Sequence, residues 1–180
     1  MSRLRVPAWT LPPAVAAQPW RDSPQRAVQA HFEALYASAM QGLPFLNTAL
    51  SVRALGFQRI DGDWLGALIA PWCVQLMLLP GGGRLWQHMP TGERAAVALP
   101  VGMLDFIAEA GEGIVPAFQY FPLLNGVGQL PGMDAAQAVV CDALGTALTP
   151  PQAADAPACA PPPASPDAGR RRLIGLGSSR

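Results

Sequence analysis

Lysine is missing altogether: all twelve basic residues of the 180-residue chain are arginines. A phosphate-cradling loop of the Gly-x-x-x-x-Gly-Lys-Ser/Thr kind is therefore excluded, and Pro80-Gly81-Gly82-Gly83-Arg84 reads as a flexible turn. Histidine is scarce, present at His31 and His88, and no Cys-x-x-Cys, His-Glu-x-x-His or Gly-x-Ser-x-Gly occurs. Catalysis needs a nucleophile with its base, a carboxylate pair, or metal ligands at workable spacing. With none of these present, we expect no enzyme, no metal and no cofactor. A small hydrolase would need a pocket joining His31 or His88 to a Cys, Ser or acid. The net charge is zero, which argues against a general nucleic-acid binder.

Cysteine is also sparse. Cys73, Cys141 and Cys159 lack paired spacing, which excludes a disulfide framework and a rubredoxin-like iron site. Cys73 lies in an apolar run and Cys141 in an expected helix, so both read as small buried hydrophobes. The long apolar run is short for a membrane span, which needs about 20 residues. It covers residues 64–80, is interrupted by Pro71 and carries Gln75. Short apolar runs bounded by Gly and Pro favour two buried strands, near 64–70 and 72–79. Arg3 and Arg5 open the sequence, but Pro7, Pro12 and Pro13 break any leader-like apolar stretch, and the cytoplasm is the expected location.

What is present divides the chain in three. Residues 1–22 hold four prolines with Trp9 and Trp20 and read as an extended arm that the tryptophans pin to the domain surface. Residues 23–148 form the folded domain. Ser23 is placed as a cap with Pro24 at the first helical position, and Val28, Phe32, Leu35, Tyr36 and Ala39 make one apolar stripe. Gly42 and Pro44 end this helix. From Leu50 the period becomes two, slips beside Gly56 in the manner of a β-bulge, and meets a hairpin signal at Asp61-Gly62. Further strands are expected over 94–99, 101–110 and 114–121, with Pro116 assigning the last to an edge or bulge. A helix follows Pro131-Gly132, with Asp134 as its cap, Gln137 completing a capping box, and Val140, Leu144, Ala147 and Leu148 as its stripe. The fold class is thus α+β: an antiparallel sheet of about five or six strands flanked by an N-terminal and a C-terminal helix.

Residues 149–180 form the third part. The stretch 149–169 is one-third Pro and one-third Ala and reads as a stiff, disordered linker. It leads to a basic segment, Arg170-Arg171-Arg172-Leu173-Ile174-Gly175-Leu176. The charge is uneven along the chain: residues 61–169 carry Arg84 and Arg94 against ten acids, while both ends are basic. This pattern suggests contact within the chain or with a basic partner.

Three blocks of residues carry a family resemblance. The first is Pro44-Phe45-x-Asn47-x-Ala49-Leu50-x-Val52-x-Ala54-x-Gly56-Phe57. The second is Trp64-Leu65-Gly66-x-Leu68-Ile69-x-Pro71-Trp72, with Leu76-Met77-Leu78-Leu79-Pro80-Gly81 after it. The third comprises Gly92-Glu93, Pro100-x-Gly102-x-x-x-Phe106, Glu112, Ile114 and Gln119. Over about residues 27–148 the chain resembles the HybE-type [NiFe]-hydrogenase assembly chaperones, also called the HupJ/HoxT type. The resemblance implies a cytoplasmic accessory protein of a membrane-bound hydrogenase. It would hold the large subunit, and the small-subunit precursor with its twin-arginine signal peptide, before export. Some relatives carry a fused rubredoxin domain or act in assembly under oxygen, so a redox or oxygen-protection factor is the alternative and would require Cys73 or Cys141 to be thiol-reactive. The family tends to a Cys-Ser-Leu-Phe-like segment where this chain reads Tyr120-Phe121-Pro122-Leu123-Leu124, which leaves any role of that cysteine without a counterpart.

A basic signal peptide wants an acidic, partly apolar surface. Asp61, Asp63, Glu93, Asp105, Glu109 and Glu112 supply carboxylates, whose two oxygens match the planar guanidinium fork. Glu93, Glu109 and Glu112 are the expected partner-binding acids, with Trp86 as an apolar anchor. The alternative for each is ordinary: a solvated acid, a core tryptophan. The segment Arg170-Arg171-x-Leu173-Ile174 itself resembles a twin-arginine pattern, so a self-contact by the Arg170–Arg172 tail in the client groove is a further expectation beside a plain solubilising role.

Overall fold

The computed structural model describes residues 17–150. Its elements are helix α1 (Gln25–Leu35), a π-helical turn (Tyr36–Met40), six strands and helix α2 (Met133–Leu148). The strands are β1 (Arg53–Ile60), β2 (Asp63–Ala70), β3 (Cys73–Leu79), β4 (Arg94–Leu99), β5 (Gly102–Ala110) and β6 (Ala117–Pro122). They form one antiparallel sheet in the order β1-β2-β3-β6-β5-β4. Two three-stranded meanders thus meet where β3 pairs with β6, and β1 and β4 are the edges.

Local chemistry explains the first meander. Asp61 (φ 47°) and Gly62 (φ 92°) both sit in the left-handed region, as a two-residue hairpin between Ile60 and Asp63 requires. The register of β1 against β2 shifts between Leu55 and Gln58, around Gly56 at φ 70°. That is the expected bulge, placed where an L-residue would be strained. Pro71 and Trp72 form the tip of the next hairpin, between Ala70 and Cys73, so the proline removes no ladder bond.

The two helices lie on opposite faces of the sheet. Side chains of a strand alternate, and the alternation in β2 and β3 divides the core. Leu65, Ala67, Ile69, Val74, Leu76 and Leu78 pack with Val140, Leu144 and Ala147 of α2. Leu68, Met77 and Leu79 pack with Val28 and Phe32 of α1. β2 and β3 are consequently apolar on both faces, which is why residues 64–80 read as one continuous hydrophobic run. Ala17–Asp22 has no regular structure but is held at Trp20: its N–H donates to Pro80 O (2.8 Å), and its carbonyl accepts from Trp64 Nε1 (3.0 Å) and Arg59 Nη2 (3.1 Å). Trp9 and the segment 151–180 lie outside the described residues.

Several local expectations are corrected. β6 is central rather than an edge, because Pro116 precedes it and Pro122 closes it, so neither interrupts its ladder. Of the two expected side-chain caps one forms: Ser23 Oγ accepts from Gln25 N–H (3.5 Å) at the start of α1, whereas α2 begins after Gly132 and Asp134 sits inside its first turn, where its charge suits the helix dipole. Cys141 is exposed on α2 instead of buried.

Candidate functional site

Asp63 is not a surface acid. It has 0 % exposure, and its carboxylate gathers four backbone amides from the turn after β3. Oδ1 accepts from Gly81 N–H (2.7 Å) and Gly83 N–H (3.0 Å), and Oδ2 from Leu85 N–H (2.8 Å) and Trp86 N–H (2.9 Å). The glycine run wraps a carboxylate supplied by its own sheet. This cradle sets Trp86, whose ring packs half-buried against the α2-side core and meets His88 edge-on at 6.1 Å. Next to it, fully buried Gln119 donates from Nε2 to Gln87 O (2.6 Å). Trp86 Nε1 and Gln119 Oε1 are buried without a hydrogen-bond partner.

The three expected glutamates have their backbones at one end of the sheet but face different ways. Glu93 precedes β4, and its carbonyl accepts from Ala108 N–H (2.8 Å). Two residues beyond Ala108, Ala110 N–H reaches Thr91 Oγ1 (2.9 Å). By strand alternation Glu93 lies on the α2 side with Ala95 and Ala108, and Glu109 on the α1 side. Glu112 is in the β5–β6 loop beside α1. There, burial lowers the pKa of His31 from its ordinary value, opposed by the Glu112 charge and a backbone hydrogen bond at Glu112. The sheet therefore does not gather Trp86, Glu93, Glu109 and Glu112 into one cluster.

It does leave one half of a face bare. On the α1 side the helix covers β1 and β2, while among the described residues no helix packs over β4 and β5. This bare area carries Arg94, Ala96 and Ala98 of β4, Met103, Asp105, Ile107 and Glu109 of β5, and Tyr120 of β6. Met103 is 62 % exposed. Desolvation raises the pKa of Glu109, partly offset by a hydrogen bond to the Ala110 backbone. The Tyr120 phenol is also pushed up, first by burial, then by Glu109 and by Cys73, with Arg94 acting the other way. Glu109, Tyr120 and Arg94 thus share one electrostatic neighbourhood on the bare face. A half-desolvated carboxylate beside apolar side chains favours an arriving cation over water.

The two sheet edges differ sharply. β1 is bulged, carries Arg53 and Arg59, and has its Ala54 N–H bonded to Gln29 Oε1 of α1 (3.3 Å). β4 is six residues in unbroken register with β5, and its exposed side chains after Arg94 are Ala96 and Ala98. Because Ala108 N–H bonds to Glu93 O, alternate pairs along the ladder bond inward. The amides and carbonyls of Ala95, Val97 and Leu99 therefore face β5, and those of Arg94, Ala96 and Ala98 face outward. No strand flanks them among the described residues. An unbulged apolar edge of this kind is a template for strand addition.

The thiols give no support to redox chemistry. Burial pushes Cys73 up to about 12, far from the reactive thiolate range. Cys141 is exposed on α2 and forms no disulfide. No group of three metal-ligating side chains occurs among the described residues, and no helix there is long and apolar enough to cross a membrane.

A model of the family described as "[NiFe]-hydrogenase assembly, chaperone, HybE" matches residues 23–176. "Probable rubredoxin HupJ" of Rhodobacter capsulatus is 32% identical over 133 residues, covering 72% of this chain and 48% of that protein. "Protein HoxT" of Cupriavidus necator is 32% identical over 154 residues, covering 76% of this chain and 82% of that protein. The solution structure of HybE from Escherichia coli superposes with a TM-score of 0.59 at 26% identity, covering 91% of this chain and 95% of that one. The chain spans about half the length of the Rhodobacter protein.

Proposed function

The chain belongs to the HybE family of [NiFe]-hydrogenase assembly chaperones, and on that premise we propose that it binds an immature hydrogenase subunit before export. The client is the small-subunit precursor, through its twin-arginine signal peptide, with the large subunit as a further partner, and the work is non-enzymatic and cytoplasmic. The carrying observation is the free edge of β4 beside a bare face holding Asp105 and Glu109. An extended peptide with a basic head and an apolar continuation suits this surface: its backbone pairs with Ala96 and Ala98, its guanidiniums meet the carboxylates, and its apolar residues cover Met103 and Ile107. Glu109 is the principal acid on the face. Glu93 and Glu112 flank the same end of the sheet, and Trp86 offers an apolar anchor on the α2 side.

The test is capture of uncleaved precursor by the purified full chain, compared with Ala96→Pro and Glu109→Gln. Proline at an edge position removes an outward donor and leaves the inward ladder intact. Each variant is expected to weaken capture about tenfold, equivalent to about 1.4 kcal/mol. Equal capture by folded variants would refute the assignment of this surface, and equal capture of the mature subunit would refute the signal-peptide reading.

A further inference from the structure

The same edge has a second strand within reach, belonging to this chain. Val101 N–H donates to Ala147 O (3.2 Å), so the last turn of α2 is bonded to the residue two places beyond β4. The chain leaves α2 at Thr149 beside the end of the unpaired edge. A linker of about 20 residues spans on the order of 25 Å in the flexible limit, and β4, at about 3.4 Å per residue, is about 20 Å long. A linker of this length is long enough for residues 170–176 to reach the whole edge, where tethering gives an effective concentration of roughly millimolar. The family match runs through Leu176, so the basic segment belongs to the matched module.

We propose that residues 170–176 pair with the outer edge of β4 as a seventh strand and so occupy the client surface until a precursor displaces them. Ala96 and Ala98 are small, so side chains on a strand laid beside them extend across to Asp105 and Met103, their partners on β5. In a parallel alignment Arg172 beside Ala96 meets Asp105, and two residues on Ile174 beside Ala98 meets Met103. The Arg172–Asp105 and Ile174–Met103 pairs are complementary, while Arg170 in this register falls beside Arg94 and Ile107. An antiparallel alignment with Arg172 beside Ala96 also meets Asp105 and sets Ile174 against Ile107, so the Arg172–Asp105 pair carries the proposal in either orientation. The displacement step rests on the function proposed above, whereas the pairing itself does not.

Amide hydrogen exchange by NMR on the full chain separates the two. The Ala96 and Ala98 amides are expected to exchange about tenfold more slowly in the full chain than in an Arg172→Glu, Ile174→Glu double variant, with inward-facing Val97 unchanged. Equal exchange of Ala96 and Ala98 in both proteins would overturn the pairing. Protection that disappears on dilution would assign the edge to a second copy of the chain and equally overturn it. Adding a signal peptide from the precursor to the full chain then tests displacement. A weaker apparent affinity for the full chain than for the double variant supports it, and equal affinities overturn the regulatory step while leaving the pairing measurement intact.

Discussion

Replacing Asp63 is the most informative perturbation of the domain. Its carboxylate receives four amide hydrogen bonds at 2.7–3.0 Å and has 0 % exposure. A hydrogen bond to a charged partner is worth about 1.5–3 kcal/mol net. After truncation to alanine, the Gly81 and Gly83 amides, which are only part-buried, can find water. The Trp86 amide is part-buried as well, and counting the buried donor at Leu85 alone gives about 1.5–3 kcal/mol. Asp63→Asn keeps one acceptor oxygen but turns an amide group toward one donor pair, so about half that cost is expected. Against a total of about 5–15 kcal/mol for a domain, both variants remain folded and measurable. Urea titration followed by tryptophan fluorescence reads both, with an unchanged slope confirming that the same surface unfolds. Because the carboxylate holds the Trp86 backbone, Asp63→Asn should also shift the native fluorescence. A loss below about 1 kcal/mol in Asp63→Ala would refute the view that this cradle, rather than the glycines' own preferences, orders residues 81–86.

Three further outcomes are expected. The folded-state pKa of His31 is lowered, so the folded protein resists its protonation. Stability is then fully present above the ordinary value of 6.5 and falls as pH drops from there through the folded value, and His31→Asn should lose this component of the slope in pH-dependent melts. For Glu109 the folded-state pKa is raised, so any stability it contributes is present below 4.5 and lost as pH rises through the folded value. Glu109→Gln should therefore be at least as stable as the parent at neutral pH even as client capture weakens, and a clear drop in its melting temperature at pH 7 would contradict this. In the native protein at neutral pH, Cys141 should react readily with a disulfide reagent and Cys73 should wait for unfolding; a rapid native reaction assigned to Cys73 by peptide mapping would revive the redox alternative.

The secondary structure was legible because its signals are local. The Asp61-Gly62 hairpin, the slip at Gly56, the helical stripe at Val28 and Phe32, and the strand over 94–99 each follow from the conformational limits of a few neighbouring residues. Capping was legible at Ser23, whose hydroxyl accepts from Gln25 N–H, and failed at Asp134, because a cap turns on a single dihedral at the boundary and the backbone enters α2 after Gly132. Asp63 was misread for a different reason. An acid beside a hairpin looks solvated until the chain returns, about 20 residues later, with four amides that need an acceptor. Cys141 was misread because the apolar stripe of α2 fixes which positions are buried only once the sheet is beneath it.

The sequence by itself determined the class of fold, its element boundaries to within a few residues and, through residue blocks spaced along 44–119, the family. These are written in dihedral preferences, in periodicity and in residue identity, all of which are properties of the linear chain. Only the tertiary structure decided that β6 slots between β3 and β5, that the helices cover opposite faces, and that β4 is an edge unpaired among the described residues, with Asp105 and Glu109 on the face beside it. Strand order and face coverage depend on which apolar surfaces find each other across the whole domain. That choice is made by packing between segments distant in sequence, and no local pattern encodes it.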